Sequence, residues 1–280
     1  MSISNQRKVR SMIRQPFVAG RFYPAQPDAL EREVRACLRG APPRREEHTL
    51  LAMAPHAGYV YSGRVAGLTL AQANLSDNLL LLCPNHTGLG ASLAVWDKGR
   101  WITPTCVMDV DEPLARALLE AEPRLASDAM AHQREHSLEV LLPFLGQVKP
   151  GFRGVPLCVA ERSLAALSRA AAAMAGVLRA LPGGASLVVS SDMSHFENAE
   201  RAKSLDFMAL EAVLRLDPAG LHEVVRAEGI TMCGVLPMTL GLMIALELGA
   251  KRAELAAYAN SGEVTGDFSS VVGYAGVLVS

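Results

Sequence analysis

The sequence predicts a single α/β domain, an α/β/α sandwich whose central sheet is mostly parallel or mixed. Three observations carry that expectation. Unbroken apolar runs of strand length occur at residues 50–55 (LLAMAP), 79–83 (LLLLC) and 186–191 (SLVVSS), as expected for strands covered on both faces. Stretches of helical character separate them, so strands and helices alternate along the whole chain. The chain has 280 residues, half of them hydrophobic and only 5% aromatic, which is enough for one large aliphatic core.

Taken in order, residues 1–15 are polar and basic and read as a frayed N-terminal segment, leaving 16–280 as the folded domain. Residues 16–24 (PFVAGRFYP) bring Phe17, Phe22 and Tyr23 together and read as pinned to the body. Asp28 is the expected cap of a helix reaching about Leu38, and residues 40–47 form a surface linker. The strand at 50–55 runs into a loop carrying His56, Tyr59 and Tyr61, with a helix beginning near Arg64. The strand at 79–83 ends in the same way, in Pro84, Asn85, His86, Thr87 and Gly88. Residues 91–95 and 102–107 read as a hairpin or edge excursion around 96–101, and Asp111 as the cap of a helix over 112–120. Residues 128–146 read as helical, a spacing that puts His132 and His136 on one face and likewise pairs Glu135 with Glu139. A strand at 155–159 and a helix at 163–180 follow. The strand at 186–191 runs into Asp192, Met193, Ser194, His195 and Phe196. Helices at 200–216 and 218–226 precede residues 231–237 (TMCGVLP), where Cys233 stands just before a helix lasting to about Leu248. Two last strands, 253–259 and 271–279, flank a polar loop.

Composition removes several classes of function. A formal charge of −1 provides no basic field for nucleic acid or an anionic membrane, so small molecules, peptides or other proteins are the expected partners. The longest uncharged run, 229–246, contains Pro237 and two threonines and reads as a loop feeding a buried helix, not a membrane span. Five cysteines with no CxxC pair point to a reducing cytoplasm. Four of them, Cys37, Cys83, Cys106 and Cys158, lie within apolar patterns and read as core. Arg7, Lys8, Arg10 and Arg14 have no apolar run behind them, which reads against a secretory signal.

Three histidines, His56, His86 and His195, each follow a predicted buried strand closely. If those strands are neighbours, the three imidazoles meet at one rim of the sheet, where open α/β sheets collect their sites. Two histidines with one anionic ligand leave a metal open to substrate, and Asp192 and Cys233 are the available anions. Tyr59 and Tyr61 are then wall residues of the pocket, and His136 a further one.

The motifs FVAGRFYP, APHAGYVYSG, CPNHTG, EHSLEVLLPFL, SSDMSH and TMCGVLP, in this order, resemble the Memo-like family, whose prokaryotic members are called AmmeMemoRadiSam system protein B. The resemblance runs from about Pro16 to the C-terminus. It implies a fold similar to LigB-type class III extradiol dioxygenases, in which two histidines and a glutamate hold non-haem iron(II) while another histidine serves as acid and base. Carried over by motif, His56 and His86 take the metal-binding histidine positions, and Cys233 stands where those enzymes have a carboxylate. Asp192 and His195 complete the cluster, with His195 as acid/base. A thiolate in the ligand set favours copper(I), zinc or a redox role over standard ring cleavage, and the resemblance itself implies iron(II) or copper(I) and a redox or oxygenase-like role. The family name implies a pathway shared with radical SAM and AMMECR-type proteins. Two other readings stay open: a binding or scaffold module on the same fold, and a hydrolase or transferase using Cys233 as nucleophile with His195 and Asp192.

Overall fold

The structure, a computed structural model, describes residues 12–280. The first half of the chain forms β1 (Ile13–Arg14), α1 (Pro27–Leu38), β2 (Leu51–Ala54), α2 (Tyr59–Gln72), β3 (Asn78–Pro84), β4 (Leu93–Val95), β5 (Arg100–Ile102), β6 (Val107–Val110), α3 (Glu112–Ala121), β7 (Ala126–Ser127), α4 (Met130–Gln133) and α5 (Ser137–Val148). The second half continues with β8 (Arg153–Val159), α6 (Leu164–Arg179), β9 (Ser186–Ser190), β10 (His195–Glu197), α7 (Ala199–Leu214), α8 (Pro218–Ala227), α9 (Val235–Glu247), β11 (Ala253–Asn260), α10 (Gly262–Thr265) and β12 (Val271–Val279).

The strands join one mixed sheet in the order β1-β5-β6-β8-β3-β9-β2-β12-β10, with β11 on β12 and β4 on β8. Its centre, β6-β8-β3-β9-β2, is entirely parallel. Because strand side chains alternate, each central strand feeds two cores. Leu51, Met53, Leu80, Leu82, Leu187 and Val189 pack on the face covered by α3, α6, α7, α8 and α9. Ala52, Ala54, Leu79, Leu81, Cys83 and Val188 pack on the other, against α1, α2 and α5. This two-sided burial explains the unbroken apolar runs, and it makes the molecule the expected α/β/α sandwich. No helix among the described residues is long and apolar enough to cross a membrane.

Several local expectations are corrected. The first helix is capped at Gln26 with Pro27 in its first turn, and Asp28 lies inside that turn, where it complements the helix dipole. The helix expected near Arg64 begins at Tyr59, so Tyr59 and Tyr61 are helical residues and only 55–58 form the loop. The hairpin is β5–β6 around residues 103–106, while β4 pairs with β8 and β7. Trp96 and Trp101 are not on a turn; both are buried and meet edge to face at 5.7 Å. The helix over 128–146 is interrupted after Gln133, which puts His132 and His136 in different surroundings. The N-terminal segment expected to fray through Gln15 joins the sheet at Ile13, where β1 lies parallel to β5, and residues 1–11 lie outside the described residues.

Candidate metal centre

Parallel strands end at a common edge, and β2, β3 and β9 are neighbours in the order β3-β9-β2. The residues that follow them therefore converge. His56 leaves β2 after Pro55, and its backbone N–H donates to Asp192 Oδ1 at 2.7 Å. Its ring Nδ1 lies 2.7 Å from Ser190 Oγ, whose own proton is donated to the Ser137 carbonyl at 2.9 Å. With that single hydroxyl proton committed, Ser190 accepts from Nδ1–H, and Nε2 keeps its lone pair. The free Nε2 faces Cys233 Sγ at 3.4 Å. Burial, reinforced by the neighbouring His86, lowers the His56 pKa to about 3, so the ring is neutral near pH 7.

His86 is fixed by Glu135. One carboxylate oxygen accepts the His86 backbone N–H at 2.7 Å and the other faces ring Nδ1 at 2.9 Å. Glu135 also accepts the Ser137 N–H and hydroxyl, at 3.0 and 2.8 Å. Burial alone would raise the Glu135 pKa, but the hydrogen bond and charge of His86 and the backbone donors outweigh it and bring it to about 2. For His86, burial works against protonation, and the Glu135 hydrogen bond and charge override it to raise the imidazole. A carboxylate holding Nδ1–H turns Nε2 outward, the arrangement by which metal-ligating histidines are oriented.

Cys233 arrives from the opposite layer, on the turn into α9. Its sulfur accepts the Asp192 backbone N–H at 3.2 Å. Gly234 makes that approach feasible, since a Cβ there would lie 2.3 Å from Ser191 Cβ and 2.7 Å from the Ser190 carbonyl oxygen. Burial and then the nearby Asp192 carboxylate push the thiol well above its ordinary pKa, while burial raises Asp192 itself. One ligand atom from each of His56, His86 and Cys233 lies within 4.8 Å of the other two. Bonds of about 2.0–2.3 Å to a tetrahedral ion need ligand atoms roughly 3.3–3.8 Å apart, so the observed His56–Cys233 separation already fits.

The remaining predicted residues take distinct positions. His136 stacks on His86 with ring centroids 5.0 Å apart and meets His56 edge-on at 5.5 Å; burial, with the charge of His56 next, lowers its pKa to about 4. It is a member of the cluster more than a wall of it, with Glu135 and His86 as neighbours in a second potential ligand group. His195 is half-buried in β10; its backbone N–H donates to Thr231 Oγ1 and its Nδ1 lies 3.0 Å from the Thr231 carbonyl. That carbonyl only accepts, so Nδ1 carries the proton and Nε2 is the basic nitrogen. Tyr59 is not a pocket wall: its ring packs on Phe144 at 4.7 Å and its hydroxyl donates to the Val140 carbonyl. Tyr61 lies on the exposed side of the first turn of α2. Among the hydrogen bonds of Cys233, the imidazole partner is His56 and not His195.

The family model described as Memo-like protein matches residues 14–278. The chain belongs to the Memo-like family. A MEMO1 family protein of Methanosarcina barkeri is 39% identical over 268 residues, covering 95% of this chain and 100% of the relative. One from Methanopyrus kandleri is 37% identical, covering 95% and 99%, and one from Aquifex aeolicus is 36% identical, covering 95% and 98%.

In this Memo-like protein, two supporting residues escape sequence reasoning. Ser190 sits inside the strand pattern read over 186–191 and carries no mark of a role there, although it sets the His56 tautomer. Glu135 is legible only as a helical partner of Glu139, because the break between α4 and α5 that turns it toward His86 has no glycine or proline to mark it. The pairing of a carboxylate with the adjacent His136 in EHSLE is the one available signal.

Proposed function

We propose that this Memo-like protein binds a metal ion through His56, His86 and Cys233 and serves a redox or oxygenase-like reaction. The observation that supports it most is the anchoring of both imidazoles through Nδ1: Ser190 holds that of His56 and leaves its Nε2 lone pair beside the Cys233 thiol, and Glu135 holds that of His86, leaving its Nε2 as the nitrogen where a cation would replace a proton. Two neutral imidazoles and a thiolate form a mixed donor set suited to iron(II), copper(I) or zinc. A bound cation of this kind would supply Lewis acidity or electron transfer and would favour the thiolate that burial now disfavours. Asp192 holds the His56 backbone through Oδ1, and its other oxygen lies 4.0 Å from His56 Nε2, within reach of the same centre. Burial raises its pKa above the ordinary carboxyl value, which suits it to proton transfer at that centre. His195, half-buried and with Nε2 left free by the Thr231 carbonyl on Nδ1, is the proposed acid/base.

The nucleophile reading is weaker on these contacts. Burial and the Asp192 charge both oppose an activated thiolate in Cys233 without a cation, and His195 is turned to Thr231.

Anaerobically purified protein, loaded with iron(II), copper(I) or zinc and analysed by elemental mass spectrometry, tests the proposal. Near-stoichiometric metal in the wild type and its loss in His56→Ala, His86→Ala and Cys233→Ser is the expected result. Unchanged metal content in all three variants would overturn it.

A further inference from the structure

A second cleft lies where the chain leaves β8 and passes beneath α8 and the first turn of α9. Its volume is about 420 Å³, within the range of small-molecule sites, and Arg162, His222, Val225, Arg226, Val235 and Leu236 line it. His222 adds an imidazole to the lining, and the other walls are of two kinds. Val225, Val235 and Leu236 offer aliphatic surface, whereas Arg162 and Arg226 offer two guanidinium groups.

Neither arginine is neutralised. Among the described residues they take part in no ion pair and no side-chain hydrogen bond, and no carboxylate lines the cleft. The two acidic neighbours in sequence do not compensate them. Glu161 is turned away to accept the Ser163 N–H at 2.8 Å, and Glu223 stands three residues before Arg226 on α8 without pairing to it.

The first turn of α9 adds to the same field. This 13-residue helix opens at Gly234 with no side-chain cap and no acidic residue in its first turn. The Leu236 N–H has no partner among the described residues, and Pro237 has no N–H to offer. The Gly234 and Val235 N–H groups are taken by Ser191 Oγ and the Met232 carbonyl, so this helix start contributes one open donor, at Leu236, and the partial positive charge of its dipole, which join the two guanidinium groups over one apolar wall.

We propose that this cleft binds a small amphipathic acid, with a carboxylate or phosphate between Arg162, Arg226 and the start of α9 and an apolar body on Val225, Val235 and Leu236. Guanidinium groups recognise both anions by paired N–H donors, and the aliphatic wall excludes ligands that are charge alone. Because Val235 follows Cys233 by two residues, the ligand lies against the segment that carries the thiol. The inference rests on the cleft and stands apart from the metal proposal.

The test is titration of the metal-free full chain with 4-phenylbutyrate, phenyl phosphate, neutral 4-phenylbutyramide and inorganic phosphate, followed by amide chemical shifts. Saturable shifts at Val225, Val235 and Leu236 with at least one phenyl acid are expected, weakened by about tenfold or more in the Arg162→Gln/Arg226→Gln variant. The carboxylate and phosphate arms then show which head group is preferred. Both arginines are exposed, so an unchanged thermal midpoint serves as the folding control. His56→Ala should bind the acid as the wild type does, which separates this result from the metal experiment. Equal binding by wild type and double variant, no saturable binding by either acid, or binding of the neutral amide or bare phosphate as tight as that of the phenyl acids would overturn the proposal.

Discussion

Ser190 and Glu135 decide what His56 and His86 can do, although neither touches the centre of the cluster through a ligand atom of the proposed set. Each fixes a proton on Nδ1 and so aims Nε2, and the two do it with different chemistry, a neutral hydroxyl against a buried carboxylate. The carboxylate has the larger leverage because it also receives the Ser137 N–H and hydroxyl, four donors in all counting those of His86. Glu135→Gln keeps the shape but replaces an acceptor-only group with one that presents an N–H₂ to existing donors. Metal affinity is expected to fall by about 10–100-fold, the usual cost of losing such a support. Competition titration with a chromogenic chelator measures it, and affinity within twofold of wild type would show that Glu135 does not orient His86. The histidines and Cys233 were legible in the sequence because each stands beside a strand end or helix start. Ser190 and Glu135 were not, because their roles depend on a neighbouring strand and on a helix break with no sequence mark.

At the scale of elements, the apolar runs identify β2, β3 and β9 correctly because a strand buried on both faces has no other pattern available. Short polar-edged strands such as β1 and β10 carry no such signature. Arg14, read as part of a frayed segment, is buried and spans to α5: its guanidinium pairs with Glu139 at 2.7 Å and donates to the His132 carbonyl at 2.9 Å. Glu139 in turn accepts the Phe17 and Val18 N–H groups and the Tyr23 hydroxyl. This ties residues 14–23 to α5, and through Phe22, whose ring lies 4.7 Å from that of His136, to the cluster. Glu139→Ala leaves Arg14 and three further donors without their acceptor, a loss expected to cost about 3–5 kcal/mol in urea unfolding. Proteolysis within residues 14–23 should accelerate in parallel; unchanged stability and cleavage would mean that the segment is held by its apolar contacts alone. Gly234→Ala tests the other side of the centre. Its Cβ would collide with Ser191 and the end of β9, so the start of α9 must move and Cys233 with it. Metal content should drop while the far-UV circular dichroism stays that of the wild type, and full metal loading would show that the turn tolerates the added carbon.

Across the whole molecule, buried imidazoles give folding a pH dependence that belongs to the fold as well as to the centre. Burial lowers His56 to about 3, and His132 and His136 to about 4, from an ordinary 6.5. A group depressed in this way binds its proton in the unfolded chain first, so its stability is fully present above pH 6.5 and drains away as pH falls toward the folded value. His86 runs the other way: raised by Glu135, it contributes stability below pH 6.5 that is lost as pH rises through its folded value. His132 separates the fold from the centre, since it is enclosed by Trp96 and Trp101 and its Nε2 donates to the Ala94 carbonyl at 2.8 Å. Arg14, whose Nε bonds the His132 carbonyl, adds a cation that further disfavours imidazolium. Metal-free protein should therefore lose stability on acidification between pH 6.5 and 4, and His132→Gln should flatten that slope by as much as one proton, about 1.4 kcal/mol per pH unit. Urea unfolding at intervals through this window reads the difference directly. A variant whose slope matches the wild type would place the acid sensitivity in the histidines of the centre and not in the tryptophan-enclosed core.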